Sequence, residues 1–231
     1  MEGLHYRHET KFVCTDKSLY IMEEKIRHIC FPDIYAGTQG TYVVRSLYFD
    51  TYEDDCLQER LNGEGDGKKY RIRIYDGSTE MIKLECKYST HGMKAKKTCR
   101  INEKQCEQLI HGAAVRKTEA SQEVLRQFLV ERSIKLLTPK VIVEYTRAPY
   151  VYEAGNVRVT FDRNIRSSTE ISRFLDQVIM WRGIMPEGKQ LLEVKYDKVL
   201  PGAVMDMLTG GQIMNRTSFS KYVLCRIYGM R

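Results

Sequence analysis

No apolar run in the 231 residues approaches the 18 or more that a membrane span requires. The start, MEGLHYRHETK, lacks the basic-then-apolar pattern of a secretory signal. Seven cysteines contain no C-x-x-C pair, and five histidines show no zinc spacing. An odd, scattered set of thiols without a signal segment reads as reduced, so a cytoplasmic protein is expected. The common nucleotide signatures are missing too. NGEGDGKKY (62–70) is rich in glycine and ends in lysines. Only three residues separate Gly63 from Gly67, however, and Lys69 stands where a P-loop needs Ser or Thr. G-x-G-x-x-G, H-E-x-x-H and G-x-S-x-G are absent. These gaps exclude a disulfide scaffold, a zinc finger, a P-loop or dinucleotide-binding enzyme and a serine hydrolase of the nucleophile-elbow type.

What is present is basic and strand-rich. Hydrophobic residues make up 42% and charged residues 29%, the balance of a soluble globular chain. A net charge of +7 is compatible with an anionic partner, and nucleic acid, nucleotide, polyphosphate and acidic membrane fit it equally. No repeat or low-complexity linker interrupts the sequence, so a single domain over residues 1–231 is expected.

KYRIRIY (69–75) alternates basic with apolar or aromatic residues. In a strand, Arg71 and Arg73 take one face and Tyr70, Ile72 and Ile74 the other. The same design recurs. Arg7, Glu9 and Lys11 share a face in residues 6–14. Lys83, Glu85 and Lys87 oppose Ile82, Leu84 and Cys86. Arg158, Thr160 and Asp162 oppose Val157, Val159 and Phe161. Glu193 and Lys195 oppose Leu192, Val194 and Tyr196. Further strands read over 41–51, 93–101 and from Pro139 to about 151. Asp76-Gly77 and His91-Gly92 are hairpin turns. Helices are predicted after an Asp16 cap, in part of 52–61, after Asn102, after a Ser121 cap, and near 201–209 and 218–228.

One such strand alone would be a sheet with its charged face in water. The set points elsewhere, because its polar faces are nearly all Lys, Arg and Glu, and amphipathic helices are available to cover the apolar faces. The fold class is therefore α+β: an antiparallel barrel with a charged interior and helices packed outside. Same-face neighbours such as Arg71 and Arg73 stand about 7 Å apart. At an effective dielectric of about 20 this is roughly 2 kcal/mol of repulsion per pair. Bound phosphate would relieve it, since the arginine fork matches phosphate oxygens. Arg7, Lys83 and Lys195 are candidate phosphate contacts. Glu9, Glu85 and Glu193, the carboxylates among these cations, are candidates for a divalent metal.

R-x-E-x-K at residues 7–11 resembles a variant of the E-x-E-x-K signature of the triphosphate tunnel metalloenzymes. SLYFDT, KYRIRIY, LECKY, VEYTRAPYV, VRVTFD, LLEVKY and SFSKY follow in order. That order resembles the catalytic domain of the vacuolar transporter chaperone (VTC) polyphosphate polymerases, over about residues 5–224. The resemblance implies an eight-stranded antiparallel tunnel. It also implies transfer of the γ-phosphate of ATP to a growing polyphosphate chain, with Mn²⁺ or Mg²⁺. Carried over residue by residue, the basic contacts are Lys11, Arg71, Arg73, Lys87, Arg147, Arg158 and Lys221. Tyr145 and Ser220 are hydrogen-bond donors to phosphate, and Glu193 is the metal ligand. One of Lys96 and Lys97 faces the tunnel, and strand parity leaves open which.

Arg7 stands where the signature has its first glutamate, which suits the VTC branch better than a hydrolytic two-metal site. The regulatory SPX domain and membrane segments of the eukaryotic proteins are absent, so a stand-alone form is expected. Two alternatives use the same tunnel: a triphosphatase or polyphosphatase with water as acceptor, and a domain that binds polyphosphate or nucleotide without turnover. Nucleic acid is not an expected partner, because most strand aromatics lie on the apolar faces rather than among the cations.

Overall fold

The computed structural model describes residues 4–115, 122–210 and 216–229. Ten strands form one sheet: β1 (His8–Thr15), β2 (Phe31–Pro32), β3 (Tyr42–Asp50), β4 (Gly67–Tyr75), β5 (Ser78–Thr90), β6 (Met93–Ile101), β7 (Thr138–Tyr152), β8 (Val157–Ser168), β9 (Arg182–Gly183) and β10 (Lys189–Tyr196). Six helices accompany them among the described residues: α1 (Asp16–Arg27), α2 (Asp55–Leu61), α3 (Glu103–Ile110), α4 (Glu123–Lys135), α5 (Gly202–Thr209) and α6 (Lys221–Gly229).

Eight strands follow the order β1-β10-β8-β7-β3-β4-β5-β6, with β2 on β7 and β9 on β8. Every pairing is antiparallel. The sheet curls until its two edge strands meet. They join at a single pair, where Arg7 and Lys94 exchange both backbone hydrogen bonds at 2.9 Å. The expected barrel is thus a curled sheet with a one-residue seam.

Local chemistry explains the connections. Asp76-Gly77 and His91-Gly92 both have positive φ at each residue, the condition for tight turns that match strand twist. Asn102 accepts from the Gln105 amide while the Gln105 side chain accepts from the Asn102 amide, a reciprocal cap on α3. At α1 the cap is Thr15 rather than Asp16: the Thr15 hydroxyl accepts from the Ser18 amide, and Asp16 is the first helical residue. The predicted Ser121 cap lies outside the described residues.

Parity sorts the core as the alternation predicts. Ile72, Ile74, Leu84 and Cys86 are fully buried beneath Cys106 and Leu109 of α3 and Leu125 and Phe128 of α4. Val159, Phe161, Leu192 and Val194 lie beneath Leu19 and Ile26 of α1 and Val204 and Leu208 of α5. Each such side chain contributes about 1.5–3 kcal/mol of burial, enough to hold the helices outside. A third cluster differs from expectation. Val44, Val141, Val143 and Leu191 share the inner parity of Tyr145 and Glu193, yet they pack on Tyr222 and Cys225 of α6. The interior is therefore charged along part of its length only, and α6 fills the rest. No helix among the described residues is long and apolar enough to cross a membrane.

Candidate active site

The charged part of the interior encloses a cavity of about 550 Å³. Thirteen lysine and arginine side chains line it, against two carboxylates, Glu9 and Glu193. Strand alternation accounts for this directly, since the odd-numbered polar positions of β1, β4, β5 and β10 turn inward together.

Glu9 of β1 and Glu193 of β10 converge among three lysines. Lys87 Nζ donates to Glu9 Oε1 at 2.9 Å and Oε2 at 2.8 Å. Lys11 Nζ lies 3.2 Å from Glu9 Oε1 and 3.9 Å from Glu193 Oε2. Lys195 pairs with Glu193 and lies 3.8 Å from Glu9. Burial and the Glu193 charge push the Glu9 pKa up, but Lys87, Lys11 and Lys195 outweigh them and hold it below the usual carboxylate range. Burial lowers the Lys87 pKa to about 7, against the pull of Glu9 and with the push of Lys11.

Two further carboxylates lie behind the lining and carry its cations. Glu85 is fully buried. Its Oε2 accepts from Arg71 Nε at 2.7 Å and lies 2.6 Å from Arg71 Nη2 and 3.8 Å from Arg73 Nη1. Its Oε1 accepts from Lys96 at 2.9 Å. Arg71 also donates to the Tyr48 hydroxyl at 3.1 Å, and Arg73 to the Ser46 hydroxyl at 3.1 Å. Asp162 of β8, likewise buried, takes a fork from Arg147 at 2.7 and 2.8 Å and the Lys221 ammonium at 2.6 Å. Arg147 and Lys221 both stand over the Tyr145 ring. Burial raises the Tyr145 pKa, but Arg147, Arg73 and Lys221 bring it below its ordinary value. Part of the repulsion between Arg71 and Arg73 is thus offset inside the protein, by Glu85.

The structure gathers most of the sequence-derived set on the cavity wall: Arg7, Lys11, Arg71, Arg73, Lys87, Lys96, Tyr145, Arg147, Arg158, Glu193, Lys195, Ser220 and Lys221, with Glu9. Arg7 is held by Asp197 at 3.1 Å and Arg158 by Asp33 at 2.8 Å. Glu85, Lys83 and Lys97 do not line the cavity. Glu85 lies behind the lining, paired with Arg71, Arg73 and Lys96. Lys83 is not in the lining; its ammonium sits 5.2 Å from the centroid of the Tyr75 ring. Lys97 points outward to Glu123 of α4 at 2.9 Å, which leaves Lys96 as the inward member of that pair. Sequence reasoning missed Arg60, Lys69 and Lys94, which also line the cavity, and the supporting Asp162. Lys69 and Lys94 share the inward parity of Arg71 and Lys96, so alternation could have found them. Arg60 lies on α2 and gave no such signal.

Glu9 and Glu193 are the carboxylates of the wall available to the divalent metal that the resemblance implies. Magnesium-type ions take one or two carboxylates and complete their shell with substrate phosphate. The Glu9–Glu193 pair fits that pattern. No group of three or more His, Cys, Asp or Glu side chains suited to a metal occurs among the described residues, so a metal here depends on phosphate oxygens for its remaining ligands.

The model of the VTC domain family matches residues 6–227. No curated protein matches the sequence. Among solved structures, a Hippeastrum protein described as a candidate adenylyl cyclase with a dominant triphosphatase activity is similar, with a TM-score of 0.58 and 14% identity, over 95% of this chain and 96% of its own. A candidate adenylate cyclase from Bacillus halodurans gives a TM-score of 0.51 and 15% identity over 85% of this chain and 83% of its own. The PH1819 protein of Pyrococcus horikoshii gives 0.50 and 14% over 98% and 100%. At these identities the likeness is one of fold: the same curled antiparallel tunnel.

Proposed function

The chain belongs to the VTC domain family, and from that premise we propose that it is a polyphosphate polymerase. It transfers the γ-phosphate of ATP to the end of an inorganic polyphosphate chain. The observation that carries this reading is the wall itself. Its Arg71, Arg73 and Arg147 are fixed from behind by buried Glu85 and Asp162, while only Glu9 and Glu193 face the cavity among thirteen cations. Such a wall stabilises phosphate charge rather than activating water.

In this mechanism a terminal oxygen of the chain attacks the γ-phosphorus. The bond from that phosphorus to the β-bridging oxygen breaks, its electron pair leaves with ADP, and the chain gains one phosphate. No protein nucleophile is needed, because phosphoryl transfer is largely positioning and charge stabilisation. Arginine has five N–H donors. Asp162 takes two from Arg147, so three remain for phosphate oxygens. Glu85 and Tyr48 likewise leave N–H groups on Arg71 free while fixing its plane. Lys11, Lys87 and Lys221 bring positive charge to the transferring group, and the Tyr145 and Ser220 hydroxyls donate to its oxygens. A divalent metal, Mn²⁺ or Mg²⁺, held by Glu9 and Glu193 would neutralise charge on the β- and γ-oxygens.

The test is incubation of the purified protein with ATP and Mn²⁺, followed by gel analysis and phosphorus NMR. Long-chain polyphosphate and ADP are expected. Orthophosphate as the sole phosphate product would make the protein a hydrolase. Binding without turnover would make it a polyphosphate-holding domain.

A further inference from the structure

Asp50, the last residue of β3, is fully buried and accepts from four donors. Its Oδ1 accepts from the Thr51 amide at 2.8 Å and the Cys56 amide at 2.9 Å. Its Oδ2 accepts from the Leu57 amide at 3.1 Å and from the Tyr222 hydroxyl. Cys56 and Leu57 belong to the first turn of α2, whose N-cap residue, Asp54, makes no side-chain cap bond. Tyr222 belongs to another element, α6. Burial, and then the hydrogen bond to Asp50, raises the Tyr222 pKa above its ordinary value, so the hydroxyl keeps its proton and donates. Asp54, in the same turn, pairs with Lys140 at 2.9 Å and with Arg226. Tyr222 and Arg226 stand four residues apart, on one face of α6. Two carboxylates of the turn between β3 and α2 thus grip one helix at two points.

Neither carboxylate lines the cavity, but the start of α6 does. Lys221 is its first residue. The Lys221 ammonium reaches Asp162 at 2.6 Å and lies 4.6 Å from the centroid of the Tyr145 ring. Much of the remaining contact between α6 and the barrel is apolar, with Val141, Val143 and Leu191 against Tyr222 and Cys225. Apolar contact is non-directional and does not by itself stop a helix from sliding or turning. A slip of one residue along a helix is about 1.5 Å of rise and about 100° of rotation, enough to take Lys221 off the wall. Hydrogen bonds are directional, and those of Tyr222 and Arg226 supply the register that the apolar contacts leave free.

We propose that Tyr222 is a positioning residue for phosphate binding: its hydroxyl, held by Asp50 and supported by the Asp54–Arg226 pair, sets the register of α6 and so places Lys221 on the phosphate. The proposal rests on the reading above for its ligand and adds to it the group that places Lys221.

The experiment is a double-mutant cycle, read by calorimetry with inorganic tripolyphosphate at a temperature where every variant is folded. Tyr222→Phe removes one hydroxyl and keeps the ring in its apolar seat. It weakens tripolyphosphate binding about fivefold or more, although the lost hydroxyl bonds Asp50 and not the ligand. Lys221→Gln removes a charge-assisted contact and weakens binding at least about tenfold. In the Lys221→Gln background, Tyr222→Phe costs less than about twofold, because the group it places is gone. In the background of Arg158→Gln, a cation held by Asp33 instead, the two losses multiply to within about twofold. Should Lys221→Gln fold poorly, Lys221→Arg, which keeps a charge beside Asp162, takes its place and the same non-additivity is expected. An unchanged affinity in Tyr222→Phe, or a loss just as large in the Lys221→Gln background, overturns the proposal: the hydroxyl then serves stability alone. The polymerase reading fails by a different result: no polymer formed from ATP while the cycle stays non-additive, which leaves the role of Tyr222 standing.

Discussion

Glu85→Gln isolates the device on which the cationic wall depends. The substitution keeps the shape of the side chain and removes its charge. Glu85 is fully buried, with Arg71, Arg73 and Lys96 all within 4.0 Å. Breaking a buried ion pair by removing one partner costs about 3–5 kcal/mol, because the remaining charge stays buried and unpaired. The glutamine oxygen keeps one acceptor, so the lower end, about 3 kcal/mol, applies. That is a large share of a total stability of about 5–15 kcal/mol. For a chain of this length it corresponds to about 6–12 °C in melting temperature. Thermal melts in low salt, with and without tripolyphosphate, measure it. Ligand at a hundred times its Kd adds about 2.7 kcal/mol to any folded state. At equal ligand concentration the variant should show the larger ligand-induced shift, since phosphate then supplies the missing counter-charge and binds more tightly.

Acid separates charge from shape. Burial raises the Glu85 pKa, but Arg73, Arg71 and Lys96 together pull it well below the usual carboxylate value. An unfolded glutamate titrates at about 4.3. The stabilisation is therefore complete above that pH and is lost as pH falls through the depressed folded value. The gap between wild type and variant should narrow steadily below about pH 4.3. An unchanged melting temperature at pH 7 in low salt, or a gap that widens in acid, would show that Glu85 does not hold the arginines.

Glu193→Gln should lower metal-dependent turnover at least about a hundredfold, the scale of losing one electrostatic group at a reacting centre; unchanged turnover at saturating Mn²⁺ would make the carboxylate structural. Medium-chain polyphosphate binding at pH 8 should take up protons, because the Lys69 pKa is lowered to about 8 by burial and Arg60 and a bound anion raises it. Calorimetry in buffers of different ionisation heat reads this, and Lys69→Gln should reduce the uptake; buffer-independent heats would contradict it. Asp162→Asn should release Arg147 and Lys221 together and cost about 3 kcal/mol or more by the same buried-pair argument, with a matching loss of triphosphate affinity in the same preparation; retained affinity would mean the two cations need no buried anchor.

Alternation made the walls legible, because a period of two assigns whole faces at once. Arg71, Arg73, Lys87 and Lys195 face the cavity for the same reason that Ile72, Leu84 and Val194 face the helices. The hairpins were legible from Asp76-Gly77 and His91-Gly92, whose positive φ values demand such residues. What alternation cannot supply is depth. Glu85 and Glu9 have the same parity and the same chemistry in sequence. One lies behind the wall and the other in it: Arg71, directly opposite Glu85 in register, and Lys96 both bind Glu85, whereas Glu9 lines the cavity with Glu193. Nor can a strand pattern foresee a helix entering the barrel. Val141, Val143 and Leu191 read as ordinary apolar positions until Tyr222 and Cys225 of α6 are found against them.

The two misreadings have a common cause, and it bears on function. A barrel interior has to be neutralised or filled, and the sequence suggested a ligand for the first task. The protein performs much of both itself. Buried Glu85 and Asp162 counter the arginines, and α6 fills the apolar end. The charge left uncountered is then smaller and more local than a uniformly cationic tunnel would carry. It is concentrated at Arg60, Lys69 and Lys94 and at the N–H groups that the buried carboxylates leave free. A wall arranged this way holds Arg71, Arg73 and Arg147 in place by itself, because part of their repulsion is already offset by Glu85 and Asp162.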